Sequence, residues 1–179
     1  MKIAIGSDHA GYRLKQCIMA WLSELGHQVE DFGAFSDAQP ADNYHLIGAE
    51  VAAAVVSGRA ERGILMCGTG IGMCIAANKV PGAWAALCND LFTAQKSRQQ
   101  NKANMLVMGA RLIGEELAKE IVRVWLSTPY AGGRHAPRNA NLRLIEERYA
   151  RRADETAEER GDVGSALFGT GPAGPRAVS

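Results

Sequence analysis

RGILMCGTGIGMCIAANK, residues 62–79, joins an apolar run to three glycines spaced two apart and then to an apolar segment with helical spacing. This order is typical of a buried strand, a tight turn and a helix. Four more runs have the composition of strands, namely KIAIG at 2–6, HQVEDFG at 27–33, AWAALC at 83–88 and NMLVMGA at 104–110. Because these runs alternate with segments of helical periodicity, the sequence predicts an open α/β sandwich with a five-stranded parallel sheet.

Apolar stripes at helical spacing predict the helices that cover both faces of this sheet. They comprise Leu14, Cys17, Ile18, Trp21, Leu22 and Leu25 before a stop at Gly26, then Ile47, Val51, Ala54 and Val55, and later Leu117, Ile121, Val124 and Trp125. A last helix is predicted from Pro137 to about Arg152. It follows a complete sheet, so its apolar side, formed by Leu142, Ile145 and Tyr149, is expected to face another subunit.

Composition limits the class of protein. The chain has 179 residues, with 20 Lys and Arg against 19 Asp and Glu, so no general attraction to nucleic acid or to a membrane is expected. Its start carries neither a signal peptide nor a spanning segment, which favours a cytoplasmic protein. From Gly161 onward the chain is rich in glycine and proline. We therefore expect a domain at residues 1–152 and a flexible tail at 153–179.

The cysteines and histidines do not predict a disulfide framework or a metal site. Four cysteines, at positions 17, 67, 74 and 88, form no C-x-x-C pair, and the histidines are scattered along the chain. Free thiols and no bound metal are the expectation. Cys67 then has two interpretations: a small buried residue, or a base or nucleophile at a strand end beside a helix start.

Three glycine-containing turns should meet at one edge of the sheet. They follow the first, third and fifth predicted strands, at residues 6–11, 67–72 and 109–111, and ligands bind beyond the carboxyl ends of parallel strands. The turn at 67–72 could hold an anion or form an oxyanion hole through its backbone N–H groups, or could simply be a tight turn. A dinucleotide fingerprint fits poorly, because Met73 stands where the third glycine belongs.

Two arginines near the last predicted helix could hold a phosphate. Arg134 and Arg138 flank Pro137 in GGRHAPRN, residues 132–139, where free N–H groups add to two guanidinium groups. The alternative interpretation is a solvated basic turn.

Five motifs in order, GSDHAG, MCGTGIGMCIAANKVPG, SRQQN, MGAR and GGRHAPR, make residues 1 to about 150 resemble the ribose-5-phosphate isomerase B family, which includes galactose-6-phosphate isomerase subunits. The resemblance implies a Rossmann-like three-layer αβα sandwich and an aldose–ketose isomerase that needs no metal or other cofactor. It also implies a homodimer or a dimer of dimers with active sites shared between subunits.

The resemblance further implies a role for each matching residue. Cys67 is the expected proton-transferring base, and Thr69 is expected to relay a hydroxyl proton. The implied substrate contacts are Asp8, His9, Tyr44, Gly68, Gly70, Gly72, Gln100 and Asn101, and the implied phosphate ligands are Arg111, Arg134 and Arg138.

One position departs from the family pattern. Gln100 stands where the family usually has the histidine assigned to opening a furanose ring, and a glutamine cannot exchange a proton near neutral pH. A tetrose 4-phosphate cannot form that ring. The pair ribose 5-phosphate and ribulose 5-phosphate is therefore the first expectation, and erythrose 4-phosphate with erythrulose 4-phosphate is the alternative. A non-catalytic sugar-phosphate-binding subunit is a further alternative, which the presence of Cys67 disfavours.

Overall fold

Strands and helices alternate along the chain as the sequence predicts. The computed structural model describes residues 1–38, 43–159 and 176–177. The strands are β1 Lys2–Ser7, β2 Gln28–Asp31, β3 Arg62–Cys67, β4 Ala85–Leu87, β5 Met105–Gly109 and β6 Arg176–Ala177. The helices are α1 Tyr12–Glu24, α2 Tyr44–Val56, α3 Ile71–Ala77, α4 Leu91–Gln99, α5 Glu115–Ser127 and α6 His135–Glu159, and a 3-10 turn, His9–Gly11, precedes α1.

Five parallel strands form the body of the sheet, in the order β4-β5-β3-β1-β2. This confirms the Rossmann-like α/β fold and its five-stranded parallel sheet. The two-residue strand β6 adds an antiparallel edge beside β2. From β1 the chain proceeds to β2 on one side and to β3 on the other, so the order reverses between β1 and β3. A crevice forms at such a point, beyond the carboxyl ends of the two strands.

Helices cover both faces of the sheet and bury two apolar cores. On one face, α1 and α5 enclose Trp125 and Ile18, both fully buried. On the other face, α2 and α3 enclose Val51 and Met73. The central strands β3 and β5 are buried almost throughout, which explains their near-continuous apolar sequences. The predicted stripe of α2 is confirmed, since Ile47, Val51, Ala54 and Val55 are all buried.

Two predicted core positions at helix ends are wrong. Leu25 is 53% exposed because it follows the last residue of α1, and Leu117 is 41% exposed in the first turn of α5. Cys17 is half-buried rather than fully enclosed, and its thiol lies 3.5 Å from Oε2 of Glu115. The periodic pattern identifies the correct helix face, but the neighbouring elements do not extend over the ends of that face.

Helix α6 is longer than the sequence predicts. It begins at His135, which places Pro137 in the first turn, and continues to Glu159, past the expected end at Arg152. Residues 153–159 of the predicted tail are therefore helical, because ADETAEE contains no glycine or proline. Residues 160–175 and 178–179 of the tail lie outside the described residues. The division into a domain at 1–152 and a tail at 153–179 stays a prediction.

The chain divides into two units. Residues 1–132, together with the edge strand β6, form the α/β unit, and α6 belongs to a second unit that begins at Gly133. Within α6, Leu142, Ile145 and Tyr149 are about half exposed, at 47%, 53% and 57%. In the described part of the chain, no helix is both long enough and apolar enough to cross a membrane.

Candidate active site

A pocket of about 300 Å³ opens where the strand order reverses. Three segments that follow β1, β3 and β5 line it, together with the first residue of α2. Its lining residues are Asp8, His9, Ala10, Tyr44, Cys67, Gly68, Thr69, Gly72 and Arg111. The fold thus brings together eight of the residues that the sequence singles out. A volume of this size lies at the small end of the range for ligand pockets, which runs from about 300 to 1,000 Å³.

Cys67 ends β3, lines the pocket and is only 6% exposed. Its Sγ accepts a hydrogen bond from the backbone N–H of Gly70 over 3.0 Å. The thiol is therefore held in one place by the backbone of its own turn, beside the space that a ligand would occupy.

Gly70 is needed for this turn. Its φ of 80° is left-handed, and a Cβ added there would lie 2.3 Å from Cδ1 of Leu87 and 3.1 Å from backbone atoms of Met108. No L side chain fits that conformation and that space together. Gly70 does not line the pocket. Its part in the site is to aim an N–H at Cys67.

Gly68 and Gly72 allow two side chains to approach the turn closely. A Cβ at Gly68 would lie 3.3 Å from Cζ of Arg111, and a Cβ at Gly72 would lie 2.8 Å from the ring of Tyr44. Arg111 is also fixed through its backbone N–H, which donates to the carbonyl oxygen of Gly68 over 3.0 Å. The guanidinium of Arg111 thus lies over the glycine turn, where it supplies positive charge to the pocket.

The 3-10 turn after β1 forms another part of the pocket wall. Asp8 Oδ1 accepts the N–H of Gly11 over 2.9 Å and so caps this turn. The N–H of Asp8 donates to the carbonyl oxygen of Met66 over 3.2 Å, which ties the wall to β3. Nδ1 of His9 is buried with no hydrogen-bond partner among the described residues. A buried ring nitrogen in this state is suited to a ligand hydroxyl, because an unmet polar group is costly.

Gln100 and Asn101 are not in this pocket. They follow α4 and precede the amino end of β5, whereas the pocket lies beyond the carboxyl end of β5. Five residues of strand separate the two edges by about 17 Å. Gln100 and Asn101 therefore cannot reach the pocket of their own chain, and their roles as substrate contacts stay predictions.

The remaining predicted phosphate ligands belong to the second unit. Arg134 directly precedes α6 and Arg138 lies in its first turns. Their contribution to a phosphate site stays a prediction.

Two polar residues near the site escape the sequence analysis. Oδ1 of Asn89 accepts the N–H of Gly109 over 2.8 Å and so supports the strand end before Arg111. Its position two residues after β4 is the signal that could have identified it. Lys15 is fully buried in α1, paired with Asp31. It falls in helical phase with Ile18 and Leu22, and a charged residue on an apolar face was the available signal.

The other core thiols are poor candidates for acid–base chemistry. Burial raises the pKa of Cys74 and of Cys88, which disfavours their thiolates. Among the described residues, no three His, Cys, Asp or Glu side chains come together as a metal site would require. That the protein works without a metal or other cofactor stays a prediction.

Comparison with known proteins places the chain in a family. A family model described as Ribose/Galactose Isomerase matches residues 3–142. Ribose-5-phosphate isomerase B of Escherichia coli is 46% identical over 147 residues, which are 82% of this chain and 97% of that protein. D-erythrulose-4-phosphate isomerase of Pectobacterium atrosepticum is 44% identical over 138 residues, 77% of this chain and 90% of that protein.

A solved structure agrees in fold. Ribose-5-phosphate isomerase B of Clostridium thermocellum superposes with a TM-score of 0.81 at 48% identity, and the match covers 83% of this chain and 99% of that chain. The family resemblance carried by the five sequence motifs is thereby confirmed. From the match to the family model and the identity to these relatives, the chain belongs to the ribose/galactose isomerase family.

Proposed function

We propose that this protein is an aldose–ketose isomerase of a small sugar phosphate, with Cys67 as the proton-transferring base. The observation that carries the proposal is the Cys67 thiol itself. It is held by the N–H of Gly70 at 3.0 Å on the wall of a pocket that also contains the guanidinium of Arg111. Family membership and the names of the relatives support the same activity.

The reaction moves one proton between neighbouring carbons. The Cys67 thiolate takes the proton from the carbon beside the substrate carbonyl, and an enediolate forms. The same sulfur returns the proton to the former carbonyl carbon. Thr69, which lines the pocket, transfers the proton between the two substrate oxygens. General acid–base catalysis of this kind contributes about 10²–10⁴-fold to a rate.

Backbone donors and a cation complete the proposed site. The backbone N–H groups of the lining residues Gly68, Thr69 and Gly72 stabilise negative charge that develops on the enediolate oxygens. Loss of one such donor costs about 2.7–4 kcal/mol in comparable sites. Arg111 holds the phosphate, and this remote contact keeps the reacting carbons over Cys67. Asp8 and His9, which also line the pocket, contact the sugar hydroxyls.

Replacement of Cys67 tests the assignment. Cys67→Ser and Cys67→Ala should lower kcat at least about 10²-fold. Both keep the fold, because serine and alanine fit the volume of cysteine. The affinity for inorganic phosphate should stay within about twofold of wild type. It is measured from inhibition of the residual rate and, independently, by calorimetry. Cys88→Ala is the matched control, since Cys88 is buried but does not line the pocket. Full activity in the Cys67 variants would refute the role of the thiol.

For the substrate, ribose 5-phosphate and ribulose 5-phosphate are the first candidate. Gln100 favours a second, the pair erythrose 4-phosphate and erythrulose 4-phosphate, because an open-chain tetrose needs no ring opening. The 44% identity to a D-erythrulose-4-phosphate isomerase supports this alternative. Kinetics on four-, five- and six-carbon aldose phosphates, measured side by side, separate the two. A far higher kcat/KM for the pentose phosphate would eliminate the tetrose.

We further propose a cytoplasmic homodimer, or a dimer of such dimers, in which each active site uses residues of both subunits. Gln100 and Asn101 lie at the edge of the sheet opposite their own pocket, so the substrate contacts that the resemblance implies for them require the pocket of a second copy. Large apolar side chains of the α/β unit also remain exposed: Ile71 at 54%, Ile75 at 57%, Phe92 at 68% and Leu112 at 61%. A second copy of the chain that covers them would bury this apolar area. Light scattering of the purified protein measures the assembly, and a catalytically active monomer would contradict it.

A non-catalytic sugar-phosphate-binding subunit is the competing class of function. Such a protein would bind phosphate through Arg111 without turning substrate over. Activity of the pure protein, with no second polypeptide present, decides between the two.

A further inference from the structure

A buried ion pair lies between α1 and the end of β2. Nζ of Lys15 donates to Oδ1 of Asp31 over 2.5 Å and to the carbonyl oxygen of Ala34 over 2.7 Å. The rings of Tyr12 and Phe35 lie 5.6 and 5.5 Å from this nitrogen. Lys15 is fully buried and Asp31 is 5% exposed. A carboxylate, a carbonyl and two aromatic faces thus surround one ammonium group, and none of them takes part in the proposed chemistry.

Stability alone does not explain this arrangement. Burial lowers the pKa of Lys15, against the opposing influence of the hydrogen bond and the charge of Asp31. Replacing a buried ion pair by apolar residues of similar volume is often neutral or stabilising. An apolar pair would fill the same space between α1 and β2. It could not bind the carbonyl oxygen of Ala34, and that contact is what the lysine adds.

The turn that Lys15 holds is bonded to the end of β1. Ser7 donates its N–H to the carbonyl oxygen of Gly33 over 2.6 Å, and the carbonyl oxygen of Ser7 accepts the N–H of Ala34 over 2.5 Å. Oδ1 of Asp31 also accepts the N–H of Gly33 over 2.9 Å. Lys15 and Asp31 therefore fix Gly33 and Ala34, the two residues whose backbones hydrogen-bond to Ser7.

Ser7 leads directly into the wall of the pocket. Asp8 and His9 follow it, and both line the pocket. On the side facing β3, Asp8 is held by the carbonyl oxygen of Met66. On the side facing β2, the support comes from the turn at 33–34 through Ser7. The position of this wall thus depends on two neighbours, and the second neighbour depends on Lys15.

We propose that Lys15 is a positioning residue, whose ammonium holds the turn at 31–34 against Ser7 and so sets where Asp8 and His9 stand in the pocket. The kinetic consequence rests on the proposed isomerase function. The structural consequence, slower backbone exchange in the wall, does not depend on it.

A pair of variants separates positioning from simple stability. Asp31→Asn keeps an oxygen for the N–H of Gly33 and leaves Lys15 bound to Ala34. Lys15→Met/Asp31→Asn is neutral at both positions, so it leaves no lone buried charge, but it removes the donor to Ala34. Lys15→Leu/Asp31→Asn serves the same test if the methionine variant does not fold, because leucine also lacks a donor for Ala34. Lys119→Met, a substitution of a surface lysine on α5, is the matched control.

The two variants should differ in kcat and in hydrogen exchange. In Lys15→Met/Asp31→Asn we expect kcat to fall at least tenfold and amide exchange in residues 6–12 and 31–36 to speed up at least tenfold. Lys119→Met should stay within threefold of wild type in both. Asp31→Asn, which keeps the donor to Ala34 but leaves Lys15 without its counter-charge, should stay within threefold of wild type in kcat. Inhibition by inorganic phosphate should change less than twofold, because Arg111 is fixed by β5 and the glycine turn. Alkylation of Cys67 by iodoacetamide should also be unchanged.

Three results would overturn the proposal. One is a kcat in the double variant within threefold of wild type. Another is unchanged exchange in residues 6–12. The third is an equal loss of kcat in Asp31→Asn, which would mean that stability alone is responsible. If wild type turns over no sugar phosphate, the proposed function fails, and the exchange data alone decide whether Lys15 positions the wall.

Discussion

Replacing Gly70 by alanine should damage stability and catalysis through one turn. An L side chain with a φ near 80° costs about 1–2 kcal/mol. The new Cβ would also lie 2.3 Å from Cδ1 of Leu87 and 3.1 Å from backbone atoms of Met108. Leu87 can rotate away, but the backbone of β5 cannot, and overpacking of this kind costs about 1–3 kcal/mol. The expected loss of unfolding free energy is about 2–5 kcal/mol in total.

Gly26→Ala supplies the matched control. Its φ is 79°, almost the same as that of Gly70, but nothing lies within 4 Å of an added Cβ. The control should therefore lose only the backbone cost of about 1–2 kcal/mol. Urea denaturation followed by circular dichroism measures both variants. Gly70→Ala/Leu87→Ala should not recover fully, because the contact with Met108 remains.

Catalysis should fall in Gly70→Ala and not in Gly26→Ala. Relief of the clash moves the N–H of Gly70 away from Sγ of Cys67, and misplacement of a reacting group by about 1 Å can cost about 10²-fold. Equal stabilities of the two variants would refute the packing argument. An unchanged kcat in a folded Gly70→Ala protein would refute the role assigned to the N–H.

Two further predictions concern position 100 and the thiol of Cys88. Gln100→His should raise kcat/KM for cyclic pentose phosphates and leave kcat/KM for tetrose phosphates unchanged, because only the cyclic substrates need ring opening. Steady-state kinetics on both classes of substrate measure the effect. An equal gain on both classes would contradict the prediction. Burial raises the pKa of Cys88 above its ordinary value of 9.0. The unfolded thiol therefore ionises first, and the unfolding free energy falls as the pH rises above about 9. Cys88→Ala should show a smaller decline between pH 8 and pH 10.5 in urea titrations, whereas parallel curves would exclude the effect.

Local sequence pattern was enough to locate the glycine turn and Cys67. A buried strand ends at Cys67, and glycines at two-residue spacing follow, so the edge of the sheet and the close backbone approach could both be predicted. The turn that contains Arg111 could be located for the same reason, since it follows β5, whereas a role for Arg111 comes only from the family resemblance. The placement of these residues is determined by the sequence within a few positions of each one.

Other features depend on contacts between distant segments. The spacing of α1 shows that Lys15 lies on the buried face, but not that it bonds the carbonyl of Ala34. The motif around Gln100 identifies a family, but only the sheet shows that this residue stands at the edge opposite its own pocket. The exposure of Leu25 depends on how far the neighbouring elements extend. Such facts follow from the packing of elements and not from any one segment.

The reversal of strand order between β1 and β3 divides the pocket between two stretches of chain. Residues before position 60 contribute Asp8, His9 and Tyr44, and residues after it contribute Cys67 and Arg111. In the proposed mechanism, the contacts of Asp8 and His9 with the sugar hydroxyls and the proton transfer by Cys67 are thus encoded in separate stretches of the sequence. Substitutions in the first stretch are expected to alter those sugar contacts while the thiol, its N–H donor and the guanidinium keep their geometry. In this way one fold can accept different sugars while the residues of its proton transfer stay the same.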